Sequence, residues 1–221
     1  MSDSRAIALL SGGLDSTVAL WLHLREHPNS VALALTFDYG QQAAPREMAA
    51  SNAIAKHVGV PHQIIPLPFL AEVDGSGLHS GKIPDDVDIN SSHACHASAK
   101  AVWVPNRNGL FINIAAAYAE ALQCTQIIVG FNAEEAVTFP DNSEEFLAAA
   151  NDALRYSTLQ KVRVTSATKR MNKTDIMREL LESNIPTHLL WSCYRGSSEP
   201  CGTCESCLRF QRALQEVTRE I

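Results

Sequence analysis

Short apolar runs rich in branched side chains alternate along the chain with longer segments whose apolar residues recur every three or four positions. The runs Ala6–Leu10, Val31–Phe37, Gln63–Leu67, Gln126–Val129 and Lys161–Val164 predict strands. The segments Leu14–Glu26, Pro45–Val58, Asn108–Leu122, Ser143–Leu154 and Asn172–Ser183 predict helices. Alternation of this kind requires βαβ crossovers, so the expected fold is α/β: a doubly wound, mainly parallel sheet with helices on both faces. Ligands of such sheets collect at the carboxyl ends of the strands. Asp74–Ala99 has no clear period and contains Gly75, Gly77, Gly81 and Pro84, so it reads as a long loop. No internal repeat, heptad or low-complexity tract interrupts the pattern.

Length and composition narrow the picture. With 221 residues and 46% apolar side chains the chain has material for one substantial core. The expected organisation is an α/β domain over residues 1–190 and a C-terminal segment, 191–221, that carries a cysteine cluster and a helix packed on the same domain. A formal net charge of −6 disfavours a nucleic-acid partner, because non-specific affinity for polyphosphate comes from Lys and Arg. A small-molecule substrate is the expectation. The apolar run Ala6–Leu10 is too short for a signal-peptide core, and no run approaches a membrane span. Three of the six cysteines crowd into Cys201, Cys204 and Cys207, which points to metal in a reducing cytoplasm rather than to disulfides.

Candidate chemistry begins where the first strand runs into Ser11-Gly12-Gly13-Leu14-Asp15-Ser16 and a helix follows at once. Two glycines allow close approach, and the backbone N–H groups and helix dipole converge on an anion. The string lacks the Gly-Lys-Ser/Thr ending of a Walker loop and is not the dinucleotide fingerprint. The second strand leads into Thr36-Phe37-Asp38-Tyr39-Gly40-Gln41 beside it. Val104-Pro105-Asn106-Arg107-Asn108 sets a guanidinium at a helix start, where it suits a carboxylate or phosphate. Asn172 with Asp175 forms a capping-box pattern that places Lys173 in the first helical turn. Cys193-x7-Cys201-x2-Cys204-x2-Cys207 fits a closed four-thiolate zinc site of structural role, one ion per chain, with Gly202 turning between ligands. An iron–sulfur cluster and a redox dithiol are the competing readings. Cys95 and Cys124 stand apart as small loop or core residues, and His79, His93 and His96 lack the carboxylate pair that a second metal site would want. Ala115, Ala116, Ala117 and Ala119 permit close approach to the sheet or to a second subunit, and a homodimer is expected.

The serine, paired glycines, aspartate and serine resemble the pyrophosphate loop (PP-loop) of the N-type ATP pyrophosphatases. Taken with TFDYGQ at 36–41, VPNRN at 104–108, FPD at 139–141 and WSC plus CGTCESC over 191–207, the order of motifs resembles the 7-cyano-7-deazaguanine synthase family of queuosine precursor biosynthesis almost end to end. The resemblance implies a carbon–nitrogen ligase. ATP, with Mg²⁺, adenylates the carboxylate of 7-carboxy-7-deazaguanine, ammonia displaces AMP to give the amide, and a second activation dehydrates the amide to the nitrile. It carries ATP contacts onto Leu10, Ser11, Gly12, Gly13, Leu14, Asp15, Ser16, Thr17, Val18, Ala19, Leu20, Thr36 and Phe37, with Asp15 toward Mg²⁺. Substrate contacts fall on Tyr39, Gln41, Arg107, Asn108 and Asp141, and catalytic roles on Asp15, Ser16, Lys173 and Arg107. Three departures stand out: Gln42-Ala43-Ala44 where the family continues with a basic residue, Asn106 in place of a glycine, and Asn142-Ser143 in place of a cysteine and its following arginine. A relative that stops at the amide or uses another amine is one alternative, and a tRNA-modifying PP-loop enzyme is another.

Overall fold

The computed structural model describes residues 5–72, 75–183 and 185–220. Five parallel strands, β1 (Ala6–Leu9), β2 (Val31–Asp38), β3 (His62–Pro66), β4 (Gln126–Ile128) and β5 (Arg163–Thr165), lie in the order β3-β2-β1-β4-β5. The helices among the described residues are α1 (Leu14–Glu26), α2 (Ala44–His57), α3 (Ser92–Ala101), α4 (Arg107–Ala121), α5 (Ala133–Ala136), α6 (Glu144–Ser157), α7 (Lys173–Glu182) and α8 (Glu205–Glu220). The chain winds outward through β2 and β3, returns beside β1 as β4, and winds outward the other way. The crossovers therefore diverge between β1 and β4, leaving a crevice at their carboxyl ends.

Alternation along the strands sorts the core into two layers. Ala6, Ala8 and Leu10 meet Ala19, Leu20, Ile54 and Ala55 of α1 and α2, while Ile7, with Leu35 and Phe37 of β2, meets Ile112, Ala115 and Ala119 of α4. Alanine on the α1 side brings that helix close to the sheet, which puts its N-terminus directly above the end of β1. A third apolar group joins Leu14, Val18 and Leu22 of α1 to Ile176, Met177 and Leu180 of α7 and to Ala213 and Val217 of α8. The C-terminal helix thus stacks against the α/β unit.

Two expectations change, and a third is decided between its alternatives. Asp74 lies outside the described residues, and the remainder of the expected loop contains a helix. Ser91 caps α3 by accepting from Ala94 N, and the face it buries consists of the small residues Cys95, Ser98 and Ala99, which leave little hydrophobic period to detect. The last strand begins at Arg163 rather than Lys161, because Lys161 has φ 53°, a left-handed turn conformation incompatible with a strand. Ala115, Ala116 and Ala119 are buried against the sheet, so these alanines serve packing within one chain; Ala117 alone of the four is exposed.

Candidate active site

Gly12 makes the cradle possible. Its φ is 81°, and a Cβ there would stand 2.7 Å from Ala50 Cβ and 2.8 Å from Ser51 N, so only glycine lets the loop lie against α2. Beyond it the loop's N–H groups turn onto hydroxyls: Ser11 N donates to Ser16 Oγ (3.1 Å), Gly13 N to Ser11 Oγ (3.3 Å) and Leu14 N to Ser192 Oγ (3.4 Å). Trp191 N donates to Gly12 O at 2.9 Å, tying the cysteine-bearing segment to the loop. Gly130, just past β4, presses on the opposite side. A Cβ on Gly130 would lie 2.5 Å from Ser16 N.

Lys173 reaches the cradle from α7. Its Nζ stands 2.5 Å from Asp15 Oδ2 and 2.5 Å from Glu135 Oε1, with the side chain 7% exposed. The capping box of Asn172 and Asp175 sets the start of α7, and Lys173 N donates to Glu134 Oε2 at 3.1 Å. Glu134 in turn takes Arg209 and Arg212 of α8, whose Glu205 also holds Arg209. Burial pushes the Asp15 carboxyl up to about 6, the nearby Lys173 ammonium opposing it. Burial works against the Lys173 ammonium too, but Asp15 and Glu135 outweigh it and hold its pKa above the ordinary lysine value. Asp15 Oδ1 is buried with no hydrogen-bond partner among the described residues, a free oxygen of the kind a magnesium ion takes.

The cradle opens into a cleft of about 240 Å³. Of the expected site residues, Leu10, Ser11, Gly13, Leu14, Asp15, Ser16, Thr36, Phe37, Tyr39, Gln41, Arg107, Asn108 and Lys173 line it, whereas Gly12 does not. Phe37 and Phe111 stack with centroids 4.1 Å apart, forming an aromatic wall. Arg107 Nη1 donates to Tyr39 Oη at 3.1 Å and lies over that ring. Asn106, at φ 56°, takes the left-handed turn that leads into α4, a conformation asparagine tolerates better than most residues.

Other expected positions lie elsewhere. Thr17, Val18, Ala19 and Leu20 are at most 1% exposed and pack inward from α1, so they support the helix without facing the cleft. Asn142 lines the cleft and Asp141 does not; the backbone oxygen of Asp141 accepts from Asn108 Nδ2 at 3.2 Å, and its carboxyl is raised by burial against the pull of Arg107. Glu47, Gly130, Glu135, Trp191, Ser192 and Tyr194 also line the cleft, and residue-by-residue reading missed them. Only Trp191 and Ser192 carried a signal, through the WSC string.

At the C-terminal side, Cys193, Cys201, Cys204 and Cys207 bring their sulfurs within 4.8 Å of one another. Sγ–Sγ separations of 3.5 Å for Cys193–Cys201 and 3.9 Å for Cys201–Cys207 match a tetrahedron with ~2.3 Å bonds, whose edges are about 3.8 Å. Backbone N–H groups of Arg195 and Cys201 point at Cys193 Sγ, and that of Cys204 at Cys201 Sγ, as thiolates require. Gly202 turns at φ 76°. Asp85, held by Thr203 and Arg195, joins the 75–91 loop to this knuckle, so that loop is anchored.

A family model described as queuosine biosynthesis protein QueC matches residues 5–218. The chain belongs to the QueC family. A 7-cyano-7-deazaguanine synthase of Pelotomaculum thermopropionicum is 52% identical over 215 residues, covering 96% of each chain. One from Carboxydothermus hydrogenoformans is 52% identical over 211 residues, covering 95% of this chain and 97% of its own. Among solved structures, an NMN synthetase from Francisella tularensis is similar with a TM-score of 0.49 at 16% identity, covering 98% of this chain and 86% of its own. The family match spans both the cradle and the cysteine knuckle, so it treats the two as parts of one protein.

Proposed function

We propose that this QueC-family chain converts 7-carboxy-7-deazaguanine and ammonia to 7-cyano-7-deazaguanine at the expense of ATP, through an acyl adenylate and an amide. The observation that carries the reading is one cleft in which an N–H-lined anion cradle with Lys173 and Asp15 adjoins an aromatic wall bearing Arg107. The cradle suits the β- and γ-phosphates, with Ser11, Ser16 and Ser192 turning their hydroxyls to phosphate oxygens. Lys173 neutralises charge as pyrophosphate departs, and Arg107 orients the attacking carboxylate. Magnesium entering with ATP would be held by Asp15 and would supply Lewis-acid neutralisation of the phosphates. The four thiolates suit one structural zinc ion per chain, which closes the knuckle over the cradle.

Relatives named as synthases of the nitrile, matched end to end, do not favour a ligase that stops at the amide or a tRNA-modifying enzyme. Among the described residues no helix is long and apolar enough to cross a membrane. We place the enzyme in the cytoplasm, where such thiolates stay reduced. A homodimer remains part of the reading; Tyr156 and Leu159, 82% and 94% exposed, offer apolar area for a second copy. The deciding experiment supplies 7-carboxy-7-deazaguanine, ATP, Mg²⁺ and ammonium and weighs the product. The nitrile, with AMP and pyrophosphate released, is expected; an amide end product or no product rejects the reading.

A further inference from the structure

Gln41 was expected to touch the substrate, yet its amide is fully engaged by the protein. Its Oε1 accepts from Tyr39 N at 2.9 Å, and its Nε2 donates to Phe37 O at 3.2 Å and to Glu47 Oε2 at 2.7 Å. Gln41 is 4% exposed. It is a strut whose outermost bond aims the carboxylate of Glu47, from the first turns of α2, at the cleft that both residues line. No described residue takes Glu47 Oε1.

A carboxylate is the wrong neighbour for a triphosphate, and the Lys173 ammonium in the same cleft is paired with Asp15 and Glu135 and not with Glu47. What a carboxylate suits is a planar edge with two adjacent N–H donors. A guanine-type ring offers that edge in its N1–H and 2-amino groups; adenine offers an acceptor at N1 and would meet the carboxylate lone pair to lone pair. Arg107, whose charge acts on Glu47, stands in the same cleft and suits an acidic substituent on the ring. Phe37 and Phe111 supply the apolar wall beside it.

We propose that Glu47, held by Gln41, is the residue that recognises the aminopyrimidinone edge of the deazaguanine substrate. The inference rests on the function proposed above and adds Glu47 to the expected substrate contacts, of which Asp141 does not line the cleft. Burial pushes the Glu47 carboxyl up, with the Gln41 bond opposing, so two incoming N–H donors replace hydration that the site withholds.

Calorimetric binding tests it on the full-length protein with metal bound, using 7-carboxy-7-deazaguanine, the same acid lacking the 2-amino group, and ATP. E47Q keeps the size of the side chain but turns an amide NH2 toward the ring's donors. It should weaken the guanine-type acid roughly 10- to 100-fold, the range of a lost charge-assisted hydrogen bond, and leave ATP affinity unchanged. The acid without the 2-amino group should bind the parent more weakly and lose little further on E47Q. E47D, which retracts the carboxylate without removing it, should show the same selective loss, and melting curves establish that each variant is folded. Parent-like binding of the guanine-type acid by both variants, or a loss that falls on ATP, overturns the assignment. If the parent makes nitrile while E47Q binds like the parent, this inference alone fails. If the discrimination depends on Glu47 but no nitrile forms, the function reading alone fails.

Discussion

Asp15 carries two demands that pull in opposite directions. Its carboxyl is held at about 6 by burial, against an ordinary value of 3.8, while the magnesium-ligand role proposed for it requires the ionised form. The native protein therefore keeps a proton that the unfolded chain has already released between those two values. Across that window this group's contribution to stability falls as pH rises, whereas the ionised, metal-competent fraction grows. Expected is a kcat/KM for the acid that climbs through pH ~6 while thermal stability owed to this group declines, both trends vanishing in Asp15→Asn. That variant should lose at least roughly 10- to 100-fold in turnover with little change in melting temperature, since second-sphere ligand changes alone reach this size. Activity within a few-fold of the parent removes the metal role. Arg107 is a second case. Its guanidinium bonds Tyr39 Oη and covers the ring, a combination lysine does not reproduce. Arg107→Lys should depress single-turnover adenylation by about 100-fold at saturating acid, the cost of a misplaced reacting group; an unchanged rate would mean Arg107 only shapes the wall.

Among elements, the turn after β4 and the start of α7 decide whether the cradle is held in place. A methyl on Gly130 would meet only backbone, Ser16 N at 2.5 Å and Asp15 C at 2.6 Å, so no flexible side chain can yield. Gly130→Ala should destabilise by about 1–3 kcal/mol, as overpacking does, and lose ATP binding together with stability. Denaturant titration and nucleotide titration measure the two, and tight ATP binding in this variant would show that the β4 turn does not set the cradle. Asn172 caps α7 through both Thr174 N and Asp175 N. Asn172→Ala should cost about 1 kcal/mol and raise the KM for ATP, because Lys173 is the first helical residue after the cap. A stability loss without any change in that KM would separate the cap from the site.

On the scale of the whole molecule, the cysteine knuckle is a wall of the site rather than an appendage. Trp191 and Ser192 lead into Cys193, α8 follows Cys204, and Arg209 and Arg212 of α8 hold Glu134, whose neighbour Glu135 holds Lys173. Zinc removal should therefore lower both melting temperature and ATP affinity. One zinc per chain is expected by atomic emission, and Cys204→Ser should lose the metal and aggregate; full metal content with three of the four cysteines replaced refutes the site. Sedimentation tests the dimer separately, and a monomer at micromolar concentration removes it.

Local order was legible because it is local. The helix Leu14–Glu26, the strand–glycine–helix cradle, the capping box and the Cys-x-x-Cys spacing each follow from residues a few positions apart, where propensity, steric freedom at glycine and ligand reach are set by the chain itself. The alternation of runs also sufficed for a parallel sheet, since short strands joined by helices have few other ways to bury both faces. The pairing of Lys173 with Asp15 and Glu135 was decided only by the tertiary structure, being distant in sequence and dependent on where α7 lands. So were the conversion of Gln41 from contact to strut, the emergence of Glu47 into the cleft, and the burial of Thr17 to Leu20. In each case the side chain's identity left its role open, because that role depends on which neighbours reach it first and how much water the fold leaves around it.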